Sequence, residues 1–147
     1  MSKTRILIHF VFVTKNRYQT LPLLKRQPLY AYINGIISHL GCMLLEINGM
    51  SDHIHMLVNL NPTVSPTEIM KKVKQSSSYW LKRDGGNLKF DGWAHGYFAA
   101  SVSPQHVDRC QGYIKNQELH HGGKGLVTEL EYLLENSGLE WYDEDWK

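Results

Sequence analysis

Cysteine is scarce in this chain. Cys42 and Cys110 stand far apart and form no CxxC pair, which argues against a disulfide framework or a cysteine zinc site and suits a reducing cytoplasm. Long apolar runs are missing too. None reaches the roughly 18 to 20 residues that span a bilayer. The opening, MSKTRILIHFVFVTKNR, sets basic residues around a short apolar run without a small-residue cleavage site, so it reads as a strand rather than a signal peptide. There is no internal repeat, low-complexity stretch or sign of a second domain. Residues 1–147 read as one domain with an acidic helical tail from about 126 to 147.

Net charge is small, at +2, but unevenly spread. From Thr128 onward Glu129, Glu131, Glu135, Glu140, Asp143, Glu144 and Asp145 face Lys147 alone; seven acids and one base give this tail −6, which leaves +8 on the rest. A basic body suits a polyanionic partner, and a solvated surface with a charged tail is the plainer alternative. Hydrophobic residues make up 42% of the chain, enough for a packed core and too many for a disordered one.

Arg5 to Thr14, rich in β-branched and aromatic residues, predicts a strand buried on both faces. Leu23 to Leu40 carries Leu29, Ile33, Ile36, Ile37 and Leu40 at helical spacing. Pro28 places the start of its regular part there, and Gly41 ends it. Cys42–Asn48 and His53–Leu60 predict strands joined by the turn Gly49-Met50-Ser51-Asp52. Ser65-Pro66-Thr67-Glu68 opens a helix running to about Arg83, broken by Asp84-Gly85-Gly86-Asn87. Tyr97–Val102 predicts a fourth strand. Ser103-Pro104 opens a helix to about His121, Gly122 and Gly123 stop it, and Val127–Asn136 is a last helix. The order β-α-β-β-α-β plus C-terminal helices is the ferredoxin-like (RRM-like) α+β arrangement, an antiparallel sheet with helices expected on one face.

Residues two apart on a strand share a face. His53, His55, Leu57 and Asn59 therefore point one way, and Ile54, Met56, Val58 and Leu60 point into the core. Two adjacent imidazoles can hold one metal ion, although a chain with eight histidines offers such a pair easily by chance. Tyr113 and Gln117, four apart, share a helix face; alone, a helical tyrosine is usually a packing residue. Lys15 and Arg17 after the first strand, and Lys71, Lys72 and Lys74 beside Ser76, Ser77 and Ser78, form the mixed basic and polar sets that grip phosphates, or simply a solvated helix face. His9 either supports such a site or is an ordinary buried histidine.

Taken together, these segments resemble the single-tyrosine HUH transposases of small insertion sequences, the IS200-like transposase family. The resemblance runs through His9-Phe10-Val11-Phe12-Val13-Thr14-Lys15-Asn16-Arg17 and Gly49 to Val58. Within the latter, Asp52-His53-Ile54-His55-Met56-Leu57-Val58 carries the histidine–hydrophobic–histidine motif. It continues through Met70 to Ser78, Gly96-Tyr97-Phe98, Val102-Ser103 and Tyr113 to His121. It implies that His53 and His55 ligate a metal with Gln117 as third protein ligand, and that Tyr113 is the nucleophile. It also implies a homodimer in which the tyrosine helix of one subunit serves the histidine pair of the other. The implied substrate is single-stranded DNA with hairpin ends. Lys15, Arg17, Lys71, Lys74 and Lys115 are the candidate DNA contacts. His120 and His121 lie close enough to Gln117 to reach the same region. The tail after Gly123 is longer than the shortest members need and has no role in this reading.

The chemistry implied is cleavage and rejoining of single strands. Neutral imidazoles and an amide oxygen would leave Mg2+ or Mn2+ its full charge, because no carboxylate is among the expected ligands. Tyr113, with an ordinary pKa of about 10, needs activation, and no general base stands out. Its attack gives a 5′-phosphotyrosine and a free 3′-hydroxyl, and a second 3′-hydroxyl can reseal the strand without ATP. Trp80, Trp93 and Tyr97 either stack on bases or pack in the core. One rival is a non-enzymatic nucleic-acid-binding module on the same scaffold, although the aromatic RNP signature is missing. Another is a related HUH nicking endonuclease or a domesticated hairpin-binding relative.

Overall fold

The alternation of side chains from His53 to Asn59 sets the architecture, because it sends aliphatic residues to one side of a sheet and histidines to the other. A computed structural model describes residues 2–83, 86–87, 89–118, 125–140, 144 and 147. Strands β1 (Leu7–Val13), β2 (Met43–Gly49), β3 (His53–Asn59) and β4 (Phe98–Ser101) form one antiparallel sheet in the order β2-β3-β1-β4. The helices are α1 (Leu23–His39), α2 (Pro66–Lys82), α3 (Val107–Lys115) and α4 (Leu126–Asn136). This is the ferredoxin-like α+β order with a C-terminal helix added.

Phe10, Phe12, Ile54, Met56 and Val58 face a core closed by Leu29, Ile33 and Ile37 of α1 and Ile69, Met70, Val73 and Leu81 of α2. The opposite sheet face is covered as well, which corrects the expectation of helices on one face only. Val11, Val13 and Phe98 meet Leu126, Leu130 and Leu134 of α4. Leu7 and Leu57 meet Val107 and Ile114 of α3. The physical reason lies in α4. Its leucines recur every four residues and make an apolar stripe that is buried only by lying on the sheet.

Two boundaries differ from the sequence expectation. Helix α1 starts at Leu23, five residues before Pro28. Pro28 and Leu24 face solvent, so the carbonyl that proline leaves without a helical partner can bond to water. The segment after β4 opens as a 3-10 turn, Pro104–His106, and α3 proper ends at Lys115, with a turn at Asn116 before the helical Gln117 and Glu118. Ser65 caps α2 as expected: its hydroxyl accepts from the Glu68 backbone N–H at 3.1 Å. No helix among the described residues is long and apolar enough to cross a membrane.

Lys74 is turned inward. Its Nζ donates to the carbonyls of Ala94, His95 and Gly96 at 2.8, 2.9 and 2.9 Å and lies 5.6 Å from the centre of the Tyr97 ring. All three ammonium hydrogens are thus engaged with the loop that leads into β4, so Lys74 leaves the set of candidate DNA contacts. Trp93 is likewise internal, packed on Phe12 and Phe90 with its indole N–H donating to Ser77. Lys74→Met is expected to cost about 2 kcal/mol by stranding these carbonyls, against under about 0.5 kcal/mol for the exposed Lys71→Met. Urea denaturation of the two variants measures the difference.

Candidate active site

The β2–β3 hairpin fixes the first two groups. Gly49 ends β2, and a Cβ there would lie 2.2 Å from the His53 carbonyl oxygen, so only glycine allows the strand to approach the start of β3 this closely. The Thr14 N–H donates to the Asp52 carbonyl at 2.9 Å and ties the same turn to the end of β1. In the register of β1 and β3, Val13 pairs with His53 and Val11 with His55. Both imidazoles are fully buried, with ring centres 5.2 Å apart. Helix α3 and the turn after it bring in Tyr113 and Gln117, and α4 brings in Glu129.

Each histidine is held from its far side. His53 Nδ1 donates to Asp52 Oδ1 at 2.7 Å, and His55 Nδ1 lies 2.9 Å from His9 Nε2. The inward Nε2 atoms face a common point. His53 Nε2 donates to Gln117 Oε1 at 3.1 Å and lies 3.6 Å from Glu129 Oε2. His55 Nε2 lies 3.0 Å from Glu129 Oε1. Gln117 Nε2 donates to Glu129 Oε1 at 3.2 Å and to the Tyr113 carbonyl at 3.4 Å. The Tyr113 hydroxyl donates to Glu129 Oε1, and the tyrosine ring centre is 5.7 Å from that of His55.

Electrostatics follow from this packing. Burial alone would lower the His53 pKa, but hydrogen bonds to Asp52 and Glu129 outweigh it and push the pKa up to about 9. Burial, helped by neighbouring His55, takes His9 down to about 3, so its ring is neutral. Burial and then the Glu129 carboxylate raise the Tyr113 phenol, which stays protonated. Burial would raise Glu129, but hydrogen bonds from His53 and His55 hold it far below the carboxylate range. Glu129 is therefore a fixed negative charge ringed by donors.

This set fits a divalent cation. Ligand atoms of His53, His55 and Glu129 all lie within 4.8 Å of one another, and Gln117 Oε1 faces the same point. Imidazole and oxygen donors suit first-row metals, and the outward partners of both histidines are what metal-binding imidazoles require.

Glu129 was missed in the sequence, where it counted as one of seven acids in a tail without a role. Its signal was position: it shares the face of α4 with Leu126, Leu130 and Leu134, and an acid on an apolar stripe needs a buried partner. The ligand set expected from the sequence held no carboxylate, and the structure places Glu129 beside it. Tyr113, Gln117, His53 and His55 come together within one chain. His120 and His121 lie outside the described residues. Among the basic candidates, Arg17 lines a cleft of about 320 Å3 with Asn16, Asp52 and the start of α4. Lys15, beside it in sequence, approaches Asp91 at 4.0 Å. Lys115 sits on the helix that carries Tyr113 and approaches Glu46 at 3.8 Å. Lys71 is exposed on α2, across the sheet from the histidines.

Comparison with known proteins identifies the family. Residues 2–117 match the family described as "Transposase IS200 like", and the chain belongs to that family of DNA-processing enzymes. The transposases for insertion sequence element IS200 of Salmonella typhimurium and Salmonella typhi are each 32% identical over 114 residues, covering 74% of this chain and 74% of the relative. The same fold occurs in a Deinococcus radiodurans R1 crystal structure assigned to the transposases, with TM-score 0.65, 23% identity, and coverage of 79% of this chain and 93% of that one. It occurs again in a REP-associated tyrosine transposase bound to a REP hairpin, with TM-score 0.63, 17% identity, and coverage of 100% and 92%. At these identities the two structures speak to fold.

The raised His53 pKa has a consequence for stability. Its contribution is fully present below the unfolded value of 6.5 and is lost as pH rises through about 9, a separation worth up to about 3 kcal/mol. Metal-free protein is expected to lose melting temperature between pH 6.5 and 9.5. His53→Asn should flatten that slope, as read by circular dichroism melts in EDTA.

Proposed function

We propose that the chain cuts and rejoins single-stranded DNA at the ends of an insertion sequence, through a transient bond between Tyr113 and a 5′-phosphate. The observation that carries this reading is the convergence of a half-buried tyrosine hydroxyl, two inward imidazoles and an amide oxygen on one carboxylate. His53, His55 and Gln117 would hold a divalent cation together with Glu129 of α4. Mn2+ should bind at least as well as Mg2+, because two donors are imidazoles. When bound, such a cation would polarise the scissile phosphate, stabilise charge building on its oxygens and favour the phenolate. With one carboxylate and neutral imidazoles the occupied centre keeps a net charge of about +1, enough to attract a phosphodiester.

The chain's own groups then divide the work. Glu129 and the Tyr113 helix fix the hydroxyl beside the histidine pair. Tyr113 Oη attacks phosphorus and its P–O bond forms as the bond to the 3′ oxygen breaks. The phenol gives up its proton and the departing oxygen leaves as a 3′-hydroxyl. In the reverse step a different 3′-hydroxyl attacks the phosphotyrosine and Tyr113 departs. The bond energy is conserved, so no nucleotide cofactor is needed. Glu129 holds protons too weakly here to act as a strong base, so it orients the hydroxyl.

Hairpin ends are the proposed recognition element, in line with the hairpin bound by the REP-associated neighbour. Arg17, which lines a cleft with Asp52, Lys15 two residues before it and Lys115 on the tyrosine helix are the proposed backbone contacts near the cut. Lys71 is placed to touch only more distant DNA. Excision needs two breaks and each chain has one such tyrosine, so a homodimer acting in the cytoplasm is proposed. Exchange of the tyrosine helix between subunits is not needed to bring these groups together.

Single-stranded DNA carrying the element's end, incubated with protein and Mn2+, is expected to give a denaturant-stable adduct mapped by mass spectrometry to Tyr113. Tyr113→Phe keeps the ring and should bind a hairpin but give no adduct; a full yield from it would sink the assignment. Gln117→Ala should slow adduct formation, and EDTA should abolish it. Light scattering at micromolar concentration tests the dimer, and an active monomer would remove it.

A further inference from the structure

We propose that His9 is a positioning residue for the candidate metal centre, supporting the metal-binding tautomer of His55 from a different strand; this rests on the metal reading given above. His9 is buried, and the mechanism so far makes no use of it. The argument begins with sheet geometry. In the antiparallel pairing of β1 and β3, Val11 stands opposite His55 and His9 opposite Leu57. His9 and His55 are therefore diagonal neighbours on one sheet face, within reach of long side chains. Their rings stack with centres 5.2 Å apart and 29° between planes, and His9 Nε2 reaches His55 Nδ1 at 2.9 Å.

A neutral imidazole carries one proton. For His55 Nε2 to offer a lone pair to a cation, that proton must sit on Nδ1, the atom facing His9. His55 Nδ1–H then donates to His9 Nε2, and His9 carries its own proton on Nδ1. The lone pair on His9 Nε2 thus supports the binding-competent form of His55. Without a cation the roles reverse: His55 Nε2–H donates to Glu129 and His55 Nδ1 accepts from His9 Nε2–H, so His9 partners His55 in both forms and loading a cation moves the His55 proton from Nε2 to Nδ1. Asp52 supports the binding-competent form of His53, accepting from Nδ1 at 2.7 Å. The two ligands are set by unlike partners, an anion next in sequence and a neutral ring 46 residues away. The edges of Phe98 and Tyr113 pack on His9, with ring centres at 5.7 and 6.3 Å, and fix its plane. Because its Nε2 is engaged with His55, His9 orients a ligand and is not itself one.

The test is Mn2+ affinity by calorimetry, with the absorption spectrum of the Co2+-substituted protein as a second readout. His9→Phe keeps a ring without an acceptor and is expected to weaken Mn2+ binding by about 10- to 100-fold and to alter the Co2+ spectrum. His9→Gln places an amide oxygen at similar reach and should recover affinity to within about threefold of the natural protein. His55→Ala should bind least. Unchanged affinity in His9→Phe, alongside a clear loss in His55→Ala, overturns the positioning role and leaves the metal centre standing. Loss in His9→Gln as deep as in His55→Ala makes His9 a ligand and also overturns it. If the natural protein and His55→Ala bind Mn2+ alike, it is the metal reading that fails.

Discussion

A carboxylate buried among two imidazoles, a phenol and an amide governs how the polar groups of this molecule are arranged. An ionised group removed from water costs several kcal/mol unless donors surround it. Glu129 meets that requirement through the Tyr113 hydroxyl, the Gln117 amide and the two histidine rings. The demand then spreads outward. Histidines that face a carboxylate also need hydrogen-bond partners behind them, which Asp52 and His9 provide. Removing one member strands the others, so the cluster behaves as a unit rather than as a sum of pairs.

The family match stops at residue 117, whereas the carboxylate comes from residue 129. The matched segment thus holds Tyr113, the imidazoles and the amide, and the carboxylate lies outside it. Helix α4 is held by leucines on β1 and β4 rather than by the polar cluster it completes. Apolar packing of about 25 cal/mol per Å2 fixes the helix, and the fixed helix then sets where the charge stands.

Much of this was legible in the sequence because strands and helices impose periods. The alternation from His53 to Leu60 places both histidines opposite Ile54, Met56 and Val58, and the four-residue step from Tyr113 to Gln117 places them together. Charge was harder to read, since a sequence gives its sign but not its direction. Lys74 belongs with Met70, Ser77 and Leu81 on the inner stripe of α2, a spacing that points it toward the protein. Read with its basic neighbours, it passes for a surface cation. Glu129 was hidden in the same way among the other acids of its segment. The second cover of the sheet followed from that omission, because an acidic tail was not credited with its leucine stripe.

The pairing of β1 with β3 carries a further consequence. A slip of one residue along β3 would turn both imidazoles into the aliphatic layer under α1 and α2 and would present Ile54 and Met56 to Glu129. Neither side of the sheet tolerates that exchange, since it strands a charge on one face and two polar rings on the other. A misregistered sheet would forfeit the aliphatic core and the polar centre together, so a single register serves both faces.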